Sequence, residues 1–296
     1  MTPSYSKGNV ASGDVSFICM PELPEAETVR SQIAPHVVGA TILDSWAKTP
    51  HLTSPSVQEF IDRTRGQTIV AAKRRGKQIY FPLENGDNLL VHLGMTGKLS
   101  VEPDSEWKPD ELHKHVHGVW RLSNGKRWIF TDPRTFGELG VSRDLPFLQK
   151  MGPEPLDDDF PVEAIAEKLS RKNVKIKAAI LDQSLIAGLG NIYADEACFR
   201  ARIHPETRAN AITPEKMREL LGHMRPILEE AIRSRGATLK DGGYQDANGD
   251  YGEFRPQMYG RTGLPCLICQ TPVQRGVLGA SKSARSFHFC PSCQTP

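Results

Sequence analysis

The sequence predicts an α+β chain: an antiparallel β-sandwich or barrel behind one helix, then a helical domain, then a small cysteine module. Three observations carry this reading. Short apolar runs between turn signals fill residues 41–141. Beyond a Pro- and Asp-rich stretch at 145–160, apolar residues recur at helical spacing. Four of the six cysteines stand near the end of the chain as two Cys-x-x-Cys pairs.

Taken in order, residues 1–20 hold one Lys, one Asp and no Arg. They lack the basic start and apolar core of a secretory signal and the arginines of a transit peptide. They read as a disordered polar tail, expected to be an untranslated extension of the reading frame. Order begins at Met20. Pro24, Glu25 and Glu27 suit a first helical turn, and Val29 and Ile33 then share a face. Strand-like runs follow at 68–71, 78–81, 88–93, 118–122 and 128–131, with hairpin dipeptides at Asn85-Gly86 and Asn124-Gly125. Helices are predicted at 161–170, 174–182, 191–200 and 214–235, with Pro226 kinking the last. A Gly-rich loop occupies 241–252. The expected division is a tail at 1–20, an N-terminal domain at 21–145, a linker at 146–160, a helical domain at 161–253 and the cysteine module at 254–296.

The 296 residues suit about two domains. Hydrophobic residues at 39% and charged residues at 24% are an ordinary globular balance. No apolar run approaches the roughly 18 residues of a membrane span. The net charge of +2 does not itself point to nucleic acid, and its distribution is more informative. After Glu253 there is no Asp or Glu, while Arg255, Arg261, Arg275, Lys282 and Arg285 give a formal +5. Lys73, Arg74, Arg75 and Lys77 form a second cluster, and Arg171, Lys172, Lys175 and Lys177 a third. Such clusters can track phosphates, or be solvated surface.

Cys266-x-x-Cys269 and Cys290-x-x-Cys293, 20 residues apart, match a four-thiolate tetrahedral zinc site. Disulfides or free thiols are the alternatives. A closed four-cysteine site is structural, since no coordination position is left for water. The cysteine usage favours a reducing cytoplasm. The stretch Ile186 to Tyr193 contains Gly188 and Gly190, followed by Asn191 at a predicted helix start. A helix N-terminus there can receive a phosphate; equally, the glycines can be caps. Met95 lies in a turn at 92–97 and Arg134 and Phe136 in a turn at 132–137. They can wedge into a base stack or simply be core. Glu22 and Glu25 share a face of a first turn, where acids are common anyway.

Taken together these segments resemble the formamidopyrimidine-DNA glycosylase family, bacterial repair enzymes for oxidised purines. The matching motifs are PELPE at 21–25, RRGK at 74–77, HLGMTG at 92–97, DPRTFG at 132–137, AGLGNIYADE at 187–196, YGR at 259–261 and the four cysteines with Arg285. The resemblance runs from Pro21 to about Gln294. Its PELPE start resembles the purine-specific branch rather than the oxidised-pyrimidine branch. It implies an N-terminal β-sandwich with flanking helices, and a helical domain with a helix–two-turn–helix motif and a zinc finger. Double-stranded damaged DNA would lie between them, bound by a bacterial, cytoplasmic enzyme acting as a monomer.

The resemblance also implies residue roles. Pro21 is the amine nucleophile that attacks the sugar of a flipped-out nucleotide, with Glu22 as acid–base partner, Glu25 assisting and Lys77 holding phosphate and nucleotide. Elimination then cuts the strand on both sides. Lys177, Asn191 and Arg285 match phosphate contacts. Met95, Arg134 and Phe136 match residues that fill the gap left by the base. Cys266, Cys269, Cys290 and Cys293 would hold one structural zinc ion. The chain departs from the pattern at Thr135, where some members have a second arginine, and at its start. Pro21 follows twenty residues here, and its nitrogen is then an amide. The nucleophile requires a chain starting at Met20 that loses that residue; a chain retaining residues 1–20 would be a catalytically inactive damaged-DNA-binding protein.

Overall fold

The computed structural model describes residues 21–105, 108, 111–238, 244–279 and 284–295. The expected tail at 1–20 lies outside them, as do residues 241–243 of the Gly-rich loop.

Helix α1 (Leu23–Val37) opens the described chain, with Pro24 in its first turn. Val29 and Ile33 are buried as their spacing requires. Two sheets follow. One has the order β1 (Ile42–Ala47), β7 (Val116–Leu122), β8 (Lys126–Thr131), β6 (Lys98–Pro103). The other runs β2 (Thr53–Ser54), β9 (Glu138–Ser142), β5 (Asn88–His92), β4 (Gln78–Pro82), β3 (Lys73–Arg75). All pairs are antiparallel except β2 with β9. The sheets face each other as a sandwich: Phe81 packs on Trp128 at 4.6 Å between ring centroids. Helix α2 (Val57–Thr64) inserts Phe60 into the same core. Asn85-Gly86 turns between β4 and β5 and Asn124-Gly125 between β7 and β8, with Gly86 and Gly125 at positive φ.

The apolar run at 68–71 forms no strand. Thr68 bridges Thr41 and Ile69 bridges Leu83, one residue each. Ile69 is buried but Val70 is exposed, so the run plugs the core at one point and then leaves. The expected linker is also more ordered than its composition suggests, since it holds the short helix α3 (Pro146–Lys150).

The second lobe comprises α4 (Val162–Ser170), α5 (Ile176–Ile180), α6 (Asn191–Arg200) and α7 (Pro214–Arg233). Helix α5 is shorter than its pattern predicts. Helix α7 continues unbroken through Pro226, because Met224, Ile227 and Leu228 on either side are locked into the core. The chain laces the lobes together: Leu23 lies in the helical core, and Tyr244 and Ala247 in the sheet core. A hairpin, β10 (Gln274–Leu278) with β11 (Arg285–Phe289), closes the chain. Among the described residues no helix is long and apolar enough to cross a membrane.

Candidate active site

Pro21 is buried where the two lobes meet. The carboxylates beside it are seated by the opposite lobe. Glu22 is only 2% exposed, and its Oε1 accepts the Ile192 amide at 2.9 Å and its Oε2 the Tyr193 amide at 3.5 Å. Glu25 accepts its own neighbour's amide, that of Glu22, at 2.9 Å. It also accepts the Tyr193 hydroxyl at 2.5 Å and the Ala237 amide at 2.8 Å. Burial pushes the Glu22 carboxyl up to about 7; Lys77 and the two α6 amides pull it down, and Glu25 adds to the rise. Burial likewise raises Glu25, against the pull of Tyr193 and the amides.

This seating explains the glycines. A Cβ on Gly190 would lie 2.1 Å from the Glu22 carboxyl carbon, and one on Gly188 2.4 Å from Leu23 Cδ1. Gly188 also holds a φ of +86°, which L side chains rarely adopt. Both glycines therefore admit the Pro21–Glu25 segment. Two amides at the N-terminus of α6, where the sequence offers either a phosphate site or glycine caps, are taken by the Glu22 carboxylate.

Lys177 is fully buried. Its ammonium donates to Asp195 Oδ1 at 2.6 Å, to the Ser286 carbonyl at 2.8 Å and to the Asn191 carbonyl at 3.3 Å. With these three partners the ammonium fastens the hairpin to α6. Asp195 completes the joint by accepting the His288 amide at 2.9 Å. Glu196 does the same for the preceding segment, accepting the amides of Gln257, Met258 and Tyr259. The two acids lie in the motif read from sequence, but helical spacing alone gave no sign that they were anchors.

These anchors place the other candidates. Arg285 begins β11 and is exposed. Asn191 lies beside it, its amide donating to the Tyr259 hydroxyl at 3.2 Å and reaching Ser286 Oγ at 3.5 Å. In the sheet lobe, buried Asp132 organises a separate turn by accepting from Thr96, Arg134 N and Gly137 N. Thr135 there has a φ of +56°. The turn presents Phe136, 53% exposed, with the Arg134 guanidinium 5.2 Å from its ring centroid. Met95, on the adjoining turn, is half-buried. Phe136 is thus not a core residue.

The Sγ atoms of Cys266, Cys269, Cys290 and Cys293 all lie within 4.8 Å of one another. Sulfurs around zinc at about 2.3 Å lie about 3.8 Å apart in a tetrahedron, so this cluster can hold one metal ion with small adjustment. The Ile268 amide approaches Cys266 Sγ at 3.5 Å and that of Cys293 approaches Cys290 Sγ at 3.4 Å, contacts that steady thiolate ligands.

Residues 20–139 match the model of the formamidopyrimidine-DNA glycosylase N-terminal domain, and residues 151–242 that of the formamidopyrimidine-DNA glycosylase H2TH domain. The formamidopyrimidine-DNA glycosylases of Paracoccus denitrificans and Herpetosiphon aurantiacus are each 41% identical, over 93% of this chain and 100% of theirs. Among solved structures, Thermus thermophilus MutM (Fpg) superposes with a TM-score of 0.81 at 39% identity, over 93% of this chain and 98% of its own. Lactococcus lactis Fpg in complex with abasic-site DNA superposes at 0.84 and 33% identity, over 93% and 100%.

Proposed function

The chain belongs to the formamidopyrimidine-DNA glycosylase family, and from that premise we infer how its own residues perform base-excision repair of oxidised purines. It is a DNA glycosylase with AP lyase activity, and its partner is damaged double-stranded DNA. The observation that carries the residue assignment is the seating of Glu22 and Glu25 at Pro21, by amides of the opposite lobe.

Pro21 is the nucleophile. Its secondary amine attacks C1′ of the flipped-out nucleotide and the base departs with a proton; the amine then gives up its own proton and the sugar ring opens at C1′–O4′, its oxygen being protonated, which leaves an iminium joining enzyme to sugar. An α-amino group has a pKa of about 8 against about 10.4 for lysine, so more of it is neutral at working pH. While Met20 is attached the nitrogen is an amide, without a nucleophilic lone pair. We therefore assign the active form to a chain whose amino terminus is Pro21.

Glu22 is the acid–base partner. A carboxyl held near 7 exchanges its proton readily at neutral pH. Glu25 assists by fixing the Glu22 amide and thereby the turn that carries Pro21. Lys77, close enough to lower the proton affinity of Glu22, is the cation for the nucleotide and its phosphate. Asn191 and Arg285 contact the backbone of the lesion strand, and Met95, Arg134 and Phe136 fill the vacated stack. One zinc ion on the four cysteines would hold the hairpin that presents Arg285; it supplies structure, not chemistry.

Borohydride trapping tests the assignment. Protein whose first residue is Pro21 should form a covalent adduct with a duplex containing 8-oxoguanine and leave a gap with phosphate ends. Protein verified by mass to retain residues 1–20 should bind without forming the adduct. Efficient trapping by the uncut chain would remove Pro21 from the role.

A further inference from the structure

We propose that Glu154, in the segment joining the two lobes, is a positioning residue for Lys77. The proposal rests on the role assigned to Lys77 above. Glu154 is 3% exposed. Its Oε1 accepts the amide of Gly76, the residue before Lys77, at 2.6 Å. Its Oε2 accepts from Arg74 Nη2 at 2.7 Å, and Arg75 Nη1 lies 3.2 Å from Oε1. Arg75 donates in addition to the Gly152 carbonyl at 2.6 Å. One carboxylate and one carbonyl of the joining segment therefore grip three consecutive residues of the turn that carries Lys77.

The same segment is fixed at its other side to the helical lobe. Gly152 donates to the Gln183 carbonyl at 2.9 Å, and Ala187 donates to the Pro153 carbonyl at 3.0 Å. The Gln183 side chain in turn accepts the Gly188 amide and donates to the Leu189 carbonyl, each at 2.9 Å. Residues 183–189 lead directly into the α6 amides that hold Glu22. Residues 152–154 thus form a bracket. One face sets the turn bearing Lys77, and the other sets the seat of Glu22.

Ion pairing alone does not account for the arrangement. Arg74 already pairs with Glu27 at 3.0 Å. A salt bridge to a second acid requires neither a backbone amide beside Lys77 nor full burial. A buried carboxylate stripped of water is held only where hydrogen bonds replace it, and here they come from the turn itself. Glu27 and Glu154 bind the Arg74 and Arg75 guanidinia to the protein, while Lys77 takes no part in the grip.

The test is single-turnover excision of 8-oxoguanine, with duplex affinity and melting temperature measured alongside. Catalytic groups misplaced by about 1 Å lose about 10²-fold in rate. Glu154→Ala should slow excision by that order while duplex affinity changes less than about threefold. Glu154→Gln keeps an acceptor for the Gly76 amide and should recover to within about tenfold of the parent, since only part of the grip is lost. Each change is then repeated on Lys77→Ala, where the further loss should fall below about threefold, because coupled residues are not additive. Equal losses with and without Lys77, or unchanged excision in both variants, would overturn the proposal. Should the alanine variant fail to fold, the glutamine variant carries the cycle with the same criterion. A parent protein beginning at Pro21 that never excises the base would instead overturn the proposed function.

Discussion

Gly190→Ala separates two accounts of the glycine motif. If the glycines admit a phosphate, the substitution should weaken DNA binding. If they admit Glu22, binding should survive and chemistry should fail. The backbone at Gly190 has φ −126° and ψ −165°, which alanine adopts without strain. The effect therefore comes from the side chain alone. The new Cβ would stand 2.1 Å from the Glu22 carboxyl carbon and 2.4 and 2.5 Å from its oxygens. The carboxylate must retreat by more than about 1 Å, giving up the Ile192 amide and the fit to the nucleotide, a displacement worth about 10²-fold in rate. Losing one charge-assisted hydrogen bond costs about 1.5–3 kcal/mol, so part of the effect should register in the thermal melt. The assay is single-turnover excision at saturating enzyme, beside titration of an uncleavable abasic-site duplex. Duplex affinity should stay within about threefold while excision falls by about 10²-fold. Excision near the parent rate, with affinity lost, would refute the seating argument and restore the phosphate reading.

Lys177→Ala should destabilise the protein by about 3–5 kcal/mol, because it strands Asp195 without its buried partner; a melt unchanged within error, with weakened binding, would return Lys177 to the phosphates. Cys266→Ser should remove zinc measured by metal analysis and weaken duplex binding, while the two-sheet core melts nearly unchanged. Protein prepared without chelators that contains no metal would rule the zinc assignment out. Phe136→Ala should cost less than about 0.5 kcal/mol of stability, as an exposed side chain does, yet slow excision from duplex DNA. A stability loss of about 2–5 kcal/mol would instead mark it as core.

The sequence made legible whatever depends on local pattern. Gln78–Pro82, Asn88–His92 and the Asn-Gly turns follow from short apolar runs and turn chemistry, and the structure has them where expected. The four cysteines converge as their spacing requires. Position in three dimensions was less legible. Nothing in the spacing of Gly188 and Gly190 says whether a phosphate or a carboxylate approaches them, since both need the same absence of a side chain. A lysine in a basic cluster reads as surface, and Lys177 is the opposite because Asp195, 18 residues on, lies one helix away. Glu154 sits among prolines and acids that read as a solvated linker, yet it is nearly fully buried. In each case the partner is distant in sequence, and periodicity carries no record of it.

On the roles proposed above, the placement of Glu22 and Glu25 binds catalysis to the joining of the lobes. Both belong by chain order to the helix that opens the sheet lobe. Yet Ile192, Tyr193 and Ala237, which supply nearly all their hydrogen bonds, come from the far side of the joining segment. An ionised carboxylate buried without such donors costs several kcal/mol and takes up a proton instead. With the donors in place, Glu22 sits near 7, poised between its two forms. Drawing the lobes apart would leave both acids either solvated, with ordinary acidity, or buried and permanently protonated. Neither state both gives and takes a proton near neutral pH. The site therefore exists only while the lobes are seated on one another, and the contacts that hold the fold closed are the ones that tune its acid.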